Sequence, residues 1–267
     1  MPETFPRLIE PFAGTAAISV AVAAEKRTNR FYLNDLNAPL ANLLRKAIEE
    51  PSELVREYAQ VWTEQFSFGE HHARHFYMVR DRFNDGDQSP ANLLYLMARC
   101  VKGSVRYAGN GRFNQSPDKR RHGLTPKTLA SNVSAISGLL KGKASFSALD
   151  YREILESAKP GDLVYMDPPY QGVTNARDKR YAFGVRFEEL VEAIDALNHK
   201  GVDYLVSYDG TCGDKTYGRE LPERLHCEKL SLNAGASAQA QLLGKRLTTF
   251  ETLYVSETLA ARCGAVR

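Results

Sequence analysis

The chain has 267 residues, 43% of them hydrophobic and 25% charged, with a net charge of +3, which is the balance of a folded globular protein and excludes disorder along the whole chain. No apolar run reaches the roughly 18–20 residues that a membrane span needs, and the start MPETFPRLIEPF lacks the basic-then-apolar pattern of a secretory signal. Cys100, Cys212, Cys227 and Cys263 form no CxxC pair, which argues against a zinc knuckle or redox pair and suits a reducing cytoplasm.

In chain order, residues 7–10 read as a short strand, 11–14 as a turn and 15–26 as an alanine-rich helix. Residues 30–33 read as a second strand, and 38–49 as a helix that Pro51 stops. This β–α–β–α start predicts a parallel-sheet α/β fold. The pattern then turns helical over 52–65, 71–83, 89–100 and 125–140, with Ser89-Pro90 and Thr125-Pro126 as cap and first-turn pairs. Alternation returns with strands at 144–149 and 162–166, helices at 151–158 and 187–200, a strand at 203–207 and two further β segments at 224–232 and 249–256. The division this predicts is one domain from 1–50 and 143–267, with 51–142 as an inserted, mainly helical block.

Charge is uneven along the chain. Residues 99–127 hold eight Lys or Arg, including Arg99, Arg106, Arg112, Lys119, Arg120 and Arg121, against the single acid Asp118. That local +7 on a chain of net +3 leaves −4 for the remainder, as expected of a phosphate-binding surface or, equally, of a solvated loop. His71, His72 and His75 have no cysteine or acid beside them in a ligand pattern and are expected on an exposed helix face, with no metal.

Two stretches point to chemistry. Glu10-Pro11-Phe12-Ala13-Gly14 follows a strand and opens a helix, where a small residue allows close backbone approach and helix N–H groups face a ligand. Asp35 ends the next strand, where nucleotide-binding α/β folds place a carboxylate on a ribose. A single glycine falls short of a dinucleotide fingerprint, so on its own this reads equally as a plain β–α turn. Asp167-Pro168-Pro169-Tyr170 ends a later strand. Its two prolines fix φ and remove donors, and the tetrapeptide is expected by chance in roughly one such chain in a thousand.

These stretches resemble the Dam-type family of adenine-N6 DNA methyltransferases. Asn34-Asp35-Leu36-Asn37 resembles the family's ribose-binding motif, and Phe76-Tyr77, Arg80-Asp81 and Phe83-Asn84 resemble a helix of its DNA-recognition insert. Arg106-Tyr107 and Gly111-Arg112-Phe113-Asn114 resemble its Gly-x-Phe-Asn loop. Asp150-Tyr151 matches an Asp-Phe pair beside the cofactor adenine, and Ser207-Tyr208-Asp209 stands where a Ser-Asn is usual. The family's Lys-Trp-x-Gly-Gly-Lys-like segment has no match before Leu8; residues 4–7 or the loop with Lys245 and Arg246 are the candidates to replace it.

The resemblance implies a Rossmann-like methyltransferase sheet with an inserted helical DNA-recognition domain. It implies S-adenosyl-L-methionine as cofactor, double-stranded DNA as partner and, in restriction–modification settings, a cognate restriction endonuclease. Glu10, Pro11, Phe12, Ala13, Gly14, Asp35, Leu36, Asp150, Tyr151 and Asp167 are then the cofactor residues. Asp167, Pro168, Pro169 and Tyr170 are the catalytic ones, and Phe183 is a candidate to support the target base or form a lid. Arg106, Asn110, Arg112, Asn114, Lys119, Arg120 and Arg121 are the candidates to meet DNA. RNA adenine, DNA cytosine N4, protein glutamine, and a DNA-binding protein without catalysis are the competing readings.

Overall fold

The computed structural model describes residues 1–101, 103, 105–169, 185–213, 215–236 and 248–264. Short apolar runs form its central sheet. The strands are β1 (Leu8–Glu10), β2 (Phe31–Asn34), β3 (Ala144–Ser147), β4 (Leu163–Met166), β5 (Asp203–Cys212), β6 (Lys215–Tyr217), β7 (Glu228–Ala236) and β8 (Thr248–Val255). They are ordered β3-β2-β1-β4-β5-β8-β7, with β6 paired to β5. The first five are parallel, while β8 runs antiparallel to both β5 and β7.

Side-chain alternation sorts the strands between two cores. Ile9, Val164, Tyr204 and Val206 face α7 (Tyr151–Glu156) and α8 (Phe187–Lys200). Leu8, Leu163 and Leu205 face the opposite layer, made by α1 (Ala17–Ala24), one side of α2 (Ala38–Glu49), the end of α6 (Pro126–Leu140) and α9 (Glu257–Arg262). Both faces are covered, as a parallel sheet requires.

The helical block has its own core. Leu54 and Tyr58 of α3 (Pro51–Glu64), Phe76, Val79 and Phe83 of α4 (His72–Asn84) and Leu93, Tyr95 and Leu96 of α5 (Pro90–Arg99) meet Leu129 and Val133 of α6. Two helices belong to both cores: α2 gives Leu43 to the helical one and Ile48 to the sheet, and α6 gives Val133 to one and Leu140 to the other. The Ser89 and Thr125 hydroxyl oxygens accept the backbone N–H of Asn92 and Thr128, capping α5 and α6 at their Pro-initiated first turns.

Several local expectations change. Helix α1 starts two residues late, because Ala16 takes a left-handed φ of 54°. A 3₁₀ turn over Gln65–His71 joins α3 and α4. The segment expected as a strand from 224 begins as a 3₁₀ turn over Glu223–Leu225, and the strand runs later, as β7. Strand β5 continues past Ser207 to Cys212 through an irregularity at Asp209, whose carboxylate accepts the Tyr254 hydroxyl at 2.5 Å. Strand β6 and helix α9 were not anticipated. His75 is buried rather than exposed, its Nε2 lying 2.9 Å from the Val61 carbonyl oxygen.

Candidate active site

The strand order reverses at β1: β2 and β3 are added on one side of it, and β4 and β5 on the other, all parallel. At such a switch point the carboxyl ends of the strands leave a crevice. Glu10 ends β1 there, 2% exposed, and its Oε1 accepts the Ser19 N–H at 2.8 Å. Helix α1 has no side-chain cap from its own N-cap residue, so this carboxylate satisfies one of its free first-turn donors. In the intervening turn the Ala13 N–H donates to the Asn34 carbonyl at 2.7 Å. Gly14 has φ 51°, and no atom lies within 4 Å of where a Cβ would stand. Its glycine therefore answers to backbone conformation and to an open approach, not to crowding.

Asp35 sits half-buried past the end of β2. Its Oδ2 accepts the Gly14 N–H at 3.0 Å and its Oδ1 the Asn37 N–H at 2.9 Å. Asn34 beside it is saturated. Its amide donates to the Pro11 and Leu149 carbonyls, and its oxygen accepts the Ser147 hydroxyl and the Leu149 N–H. One buried side chain thus ties the ends of β1, β2 and β3 together. Burial pushes the Asp35 carboxyl up. Burial also pushes Glu10 up to about 7, opposed by its bonds to Ser19 and assisted by the charge of Asp167.

All ten residues expected to hold a cofactor line one cavity of about 590 Å³: Glu10, Pro11, Phe12, Ala13, Gly14, Asp35, Leu36, Asp150, Tyr151 and Asp167. The Phe12 and Tyr151 rings meet there at 5.0 Å. Pro169 also lines the cavity, while Pro168 is buried at the corner behind it; Tyr170, Phe183, Lys245 and Arg246 lie outside the described residues. Asp150 caps α7 through the Arg152 N–H at 2.9 Å and grips the Arg152 guanidinium at 2.8 and 3.0 Å, which holds its carboxyl low.

Asn37 and Tyr107, which stand in stretches that resemble the family's motifs but were not assigned to the cofactor, also line the cavity, as do Arg152, Tyr165 and Glu189, to which the sequence did not point. Tyr165 was readable in principle, because strand alternation puts it on the same side as Asp167, two residues on. The others arrive from distant elements. Among the described residues the lining has five carboxylates, Glu10, Asp35, Asp150, Asp167 and Glu189, and one cation, Arg152. Arg152 is already engaged by Asp150 and by Glu189 at 3.4 Å. On a chain of net +3, the described lining is strongly acidic.

The family model of the D12 class N6 adenine-specific DNA methyltransferases matches residues 1–233. The chain belongs to this family. It is 28% identical to the DNA N-6-adenine-methyltransferase of Escherichia phage P1, over 76% of this chain and 26% of that protein. Identity to the type II methyltransferase M1.LlaDCHI of Lactococcus lactis subsp. cremoris is 23%, over 95% of this chain and 88% of the other. The DNA adenine methylase of Serratia marcescens is 26% identical over 61% of this chain and 57% of its own length.

In this family member none of the expected DNA-binding residues lines the cavity. They lie on a hairpin and a turn. Across the hairpin Tyr107 pairs with Phe113, the Ala108 N–H donates to the Arg112 carbonyl at 2.8 Å, and the Asn114 N–H donates to the Arg106 carbonyl at 2.8 Å. Asn110 serves the turn, its side-chain oxygen accepting the Arg112 N–H. Arg112 pairs with Asp85 at 3.0 Å, and Asn114 is exposed. Phe113 is buried against Phe83 and Tyr107, and Asn84 clasps its backbone from both sides, its Oδ1 accepting the Phe113 N–H at 2.7 Å.

The 118–122 turn is held from beneath. Arg99 is not part of the basic surface, as its place in the charge run suggested; it is fully buried and donates to the carbonyls of Asp118 and Arg121. Trp62 and Gln65 donate to the His122 carbonyl. Gly123 has φ 81°, and a Cβ there would stand 3.0 Å from the Arg99 side chain. Asp118 accepts the Arg120 N–H at 2.9 Å and the Arg121 Nε–H at 2.7 Å, leaving Lys119, Arg120 and Arg121 exposed.

Proposed function

We propose that this protein transfers a methyl group from S-adenosylmethionine to N6 of adenine in double-stranded DNA, with the base turned out of the duplex. The observation that carries the reading is that Asp167 and Pro169, at the carboxyl end of β4, line the same cavity as the Glu10–Gly14 loop and Asp35. The cavity fits the cofactor. Its volume is in the range of small-molecule sites, its acids suit a sulfonium, and Asp35 offers acceptors for ribose hydroxyls. The Phe12–Tyr151 pair and Asp150 supply an aromatic wall and a polar edge for an adenine.

When bound, the cofactor supplies an electrophilic methyl group. The adenine amine is a poor nucleophile because its lone pair is delocalised into the ring, so alignment and charge stabilisation are what the chain must add. Asp167 accepts one amine hydrogen and the Pro168 carbonyl the other, which favours a pyramidal nitrogen. The carboxylate also offsets the positive charge that develops there. Tyr170, outside the described residues, is the residue this mechanism assigns to stacking on the base.

A base inside a duplex is out of reach, which requires flipping. The 51–142 block is the target-recognition unit in this reading. On the same reading Lys119, Arg120 and Arg121 meet phosphates, Asn110, Arg112 and Asn114 are the candidates to read the DNA or fill the vacated position, and Arg106 is a further DNA contact. Among the described residues no helix is long and apolar enough to cross a membrane, and we place the protein in the cytoplasm with the DNA. The type II name of the Lactococcus relative makes a cognate restriction endonuclease the protein partner to seek.

The test is Asp167→Ala. Turnover on duplex DNA should fall by about a thousandfold or more, the scale of losing a charge-stabilising group, with cofactor binding retained. Unchanged turnover would remove Asp167 from the mechanism, and methylation of RNA in preference to DNA would overturn the substrate.

A further inference from the structure

Glu10 is a carboxylate that the alignment of the amine does not require. It is almost fully buried, yet it lines the cavity. One of its oxygens serves the Ser19 N–H of α1, a duty an uncharged amide oxygen would perform as well. From β4, Asp167 and Tyr165 face it. On the β2 side Leu33 is its register partner, and the next ionisable group, Asp35, turns to Gly14 and Asn37. Among the described residues the one cation of the lining, Arg152, is paired with Asp150 and Glu189. A buried negative charge with no cation of its own at the cavity wall is stabilised by a ligand that brings a positive one.

Resting on the methyl-transfer reading above, we infer that Glu10 is a specificity-determining residue, which makes the cavity prefer a positively charged methyl donor to its neutral demethylated product. The two ligands differ at one atom, a sulfonium against a thioether, so shape and hydrogen bonding discriminate between them poorly and charge discriminates well. Product release is then eased by the reaction itself. Loss of the methyl group removes the sulfonium charge, which in this reading is the counter-ion of Glu10, while the α-ammonium and carboxylate common to both ligands stay.

The test is calorimetric binding of S-adenosylmethionine, S-adenosylhomocysteine and an analogue with an amine in place of the sulfonium, to the wild type and Glu10→Gln. The substitution keeps the acceptor for Ser19 and the side-chain volume. It should weaken both cationic ligands about tenfold, and the thioether less than about threefold. In the wild type, raising the pH from about 6 to 8 should tighten the cations relative to the thioether by up to about tenfold, because Glu10 ionises in that window. In Glu10→Gln that change should shrink for S-adenosylmethionine, whose sulfonium does not titrate, to what Asp35, also shifted up by burial, contributes. An unchanged cation-to-thioether ratio in the variant overturns the inference and leaves methyl transfer intact. If none of the three binds the wild type, the methyl-transfer reading falls, and this inference with it.

Discussion

Among the described residues, five carboxylates and one arginine line the cavity; at the 118–122 turn, exposed Lys119, Arg120 and Arg121 surround one aspartate. The two regions carry opposite charge and are built by the same device. In each, a buried ionisable side chain satisfies backbone groups and thereby fixes where the others stand. Glu10 takes a helix N–H at the cavity, and Arg99 donates to two carbonyls under the turn. The difference lies in exposure. Glu10 and Asp35 in the cavity are desolvated, so burial shifts their ionisation and they respond strongly to a ligand's charge. Charges on the turn stay in water, so they act through many weak, salt-sensitive contacts.

The largest effect expected from this contrast is on stability against pH. Glu10 has a folded-state pKa of about 7 against an ordinary value of 4.5. The folded protein therefore holds a proton that the unfolded chain releases between those values. Its contribution is full below about pH 4.5 and is lost as the pH rises through about 7. Denaturant unfolding without ligand should lose about 3 kcal/mol across that window, and Glu10→Gln should remove most of the loss. Asp35, shifted in the same direction, adds to it with the same sign. A flat profile in the wild type would mean that the cavity carboxylates stay hydrated.

The turn should answer to salt instead. Replacing Arg120 and Arg121 together by alanine should reduce the slope of log affinity for DNA against log salt by about 2, with cofactor affinity unaltered. A slope equal to the wild type's would exclude both as phosphate contacts. The smallest effect concerns the joint between the regions. Tyr107 belongs to the hairpin, lines the cavity and donates its hydroxyl to Asn37 at 3.1 Å. Tyr107→Phe should cost about 1 kcal/mol of stability and leave the salt slope alone. If binding DNA tightens cofactor binding in the wild type, that gain should shrink in this variant. A variant that loses no stability would show the hydroxyl equally well served by water.

Much of the cavity lining was legible because its signals are local. A Pro-Pro pair at a strand end and a small-residue turn between a strand and a helix restrict the backbone within a few residues, so their place on the sheet follows from chain order. Arg99 was misread for the opposite reason. A count of charges cannot tell a surface arginine from one that satisfies buried carbonyls, and although Asn34 and Asn84 stand in stretches that resemble the family's, nothing local showed that they clamp the strand ends and the loop.

By itself, then, the sequence determined the alternation of strands and helices, the helical interruption after α2, and which short motifs fall at carboxyl ends of strands, since these depend on periodicity and turn chemistry between near neighbours. Only the tertiary structure decided that residues as far apart as Glu10, Tyr107 and Glu189 share one cavity, that α2 and α6 serve two cores, and which charges are buried. Those outcomes depend on strand order and on the packing of distant segments, and desolvation exists only once that packing is complete.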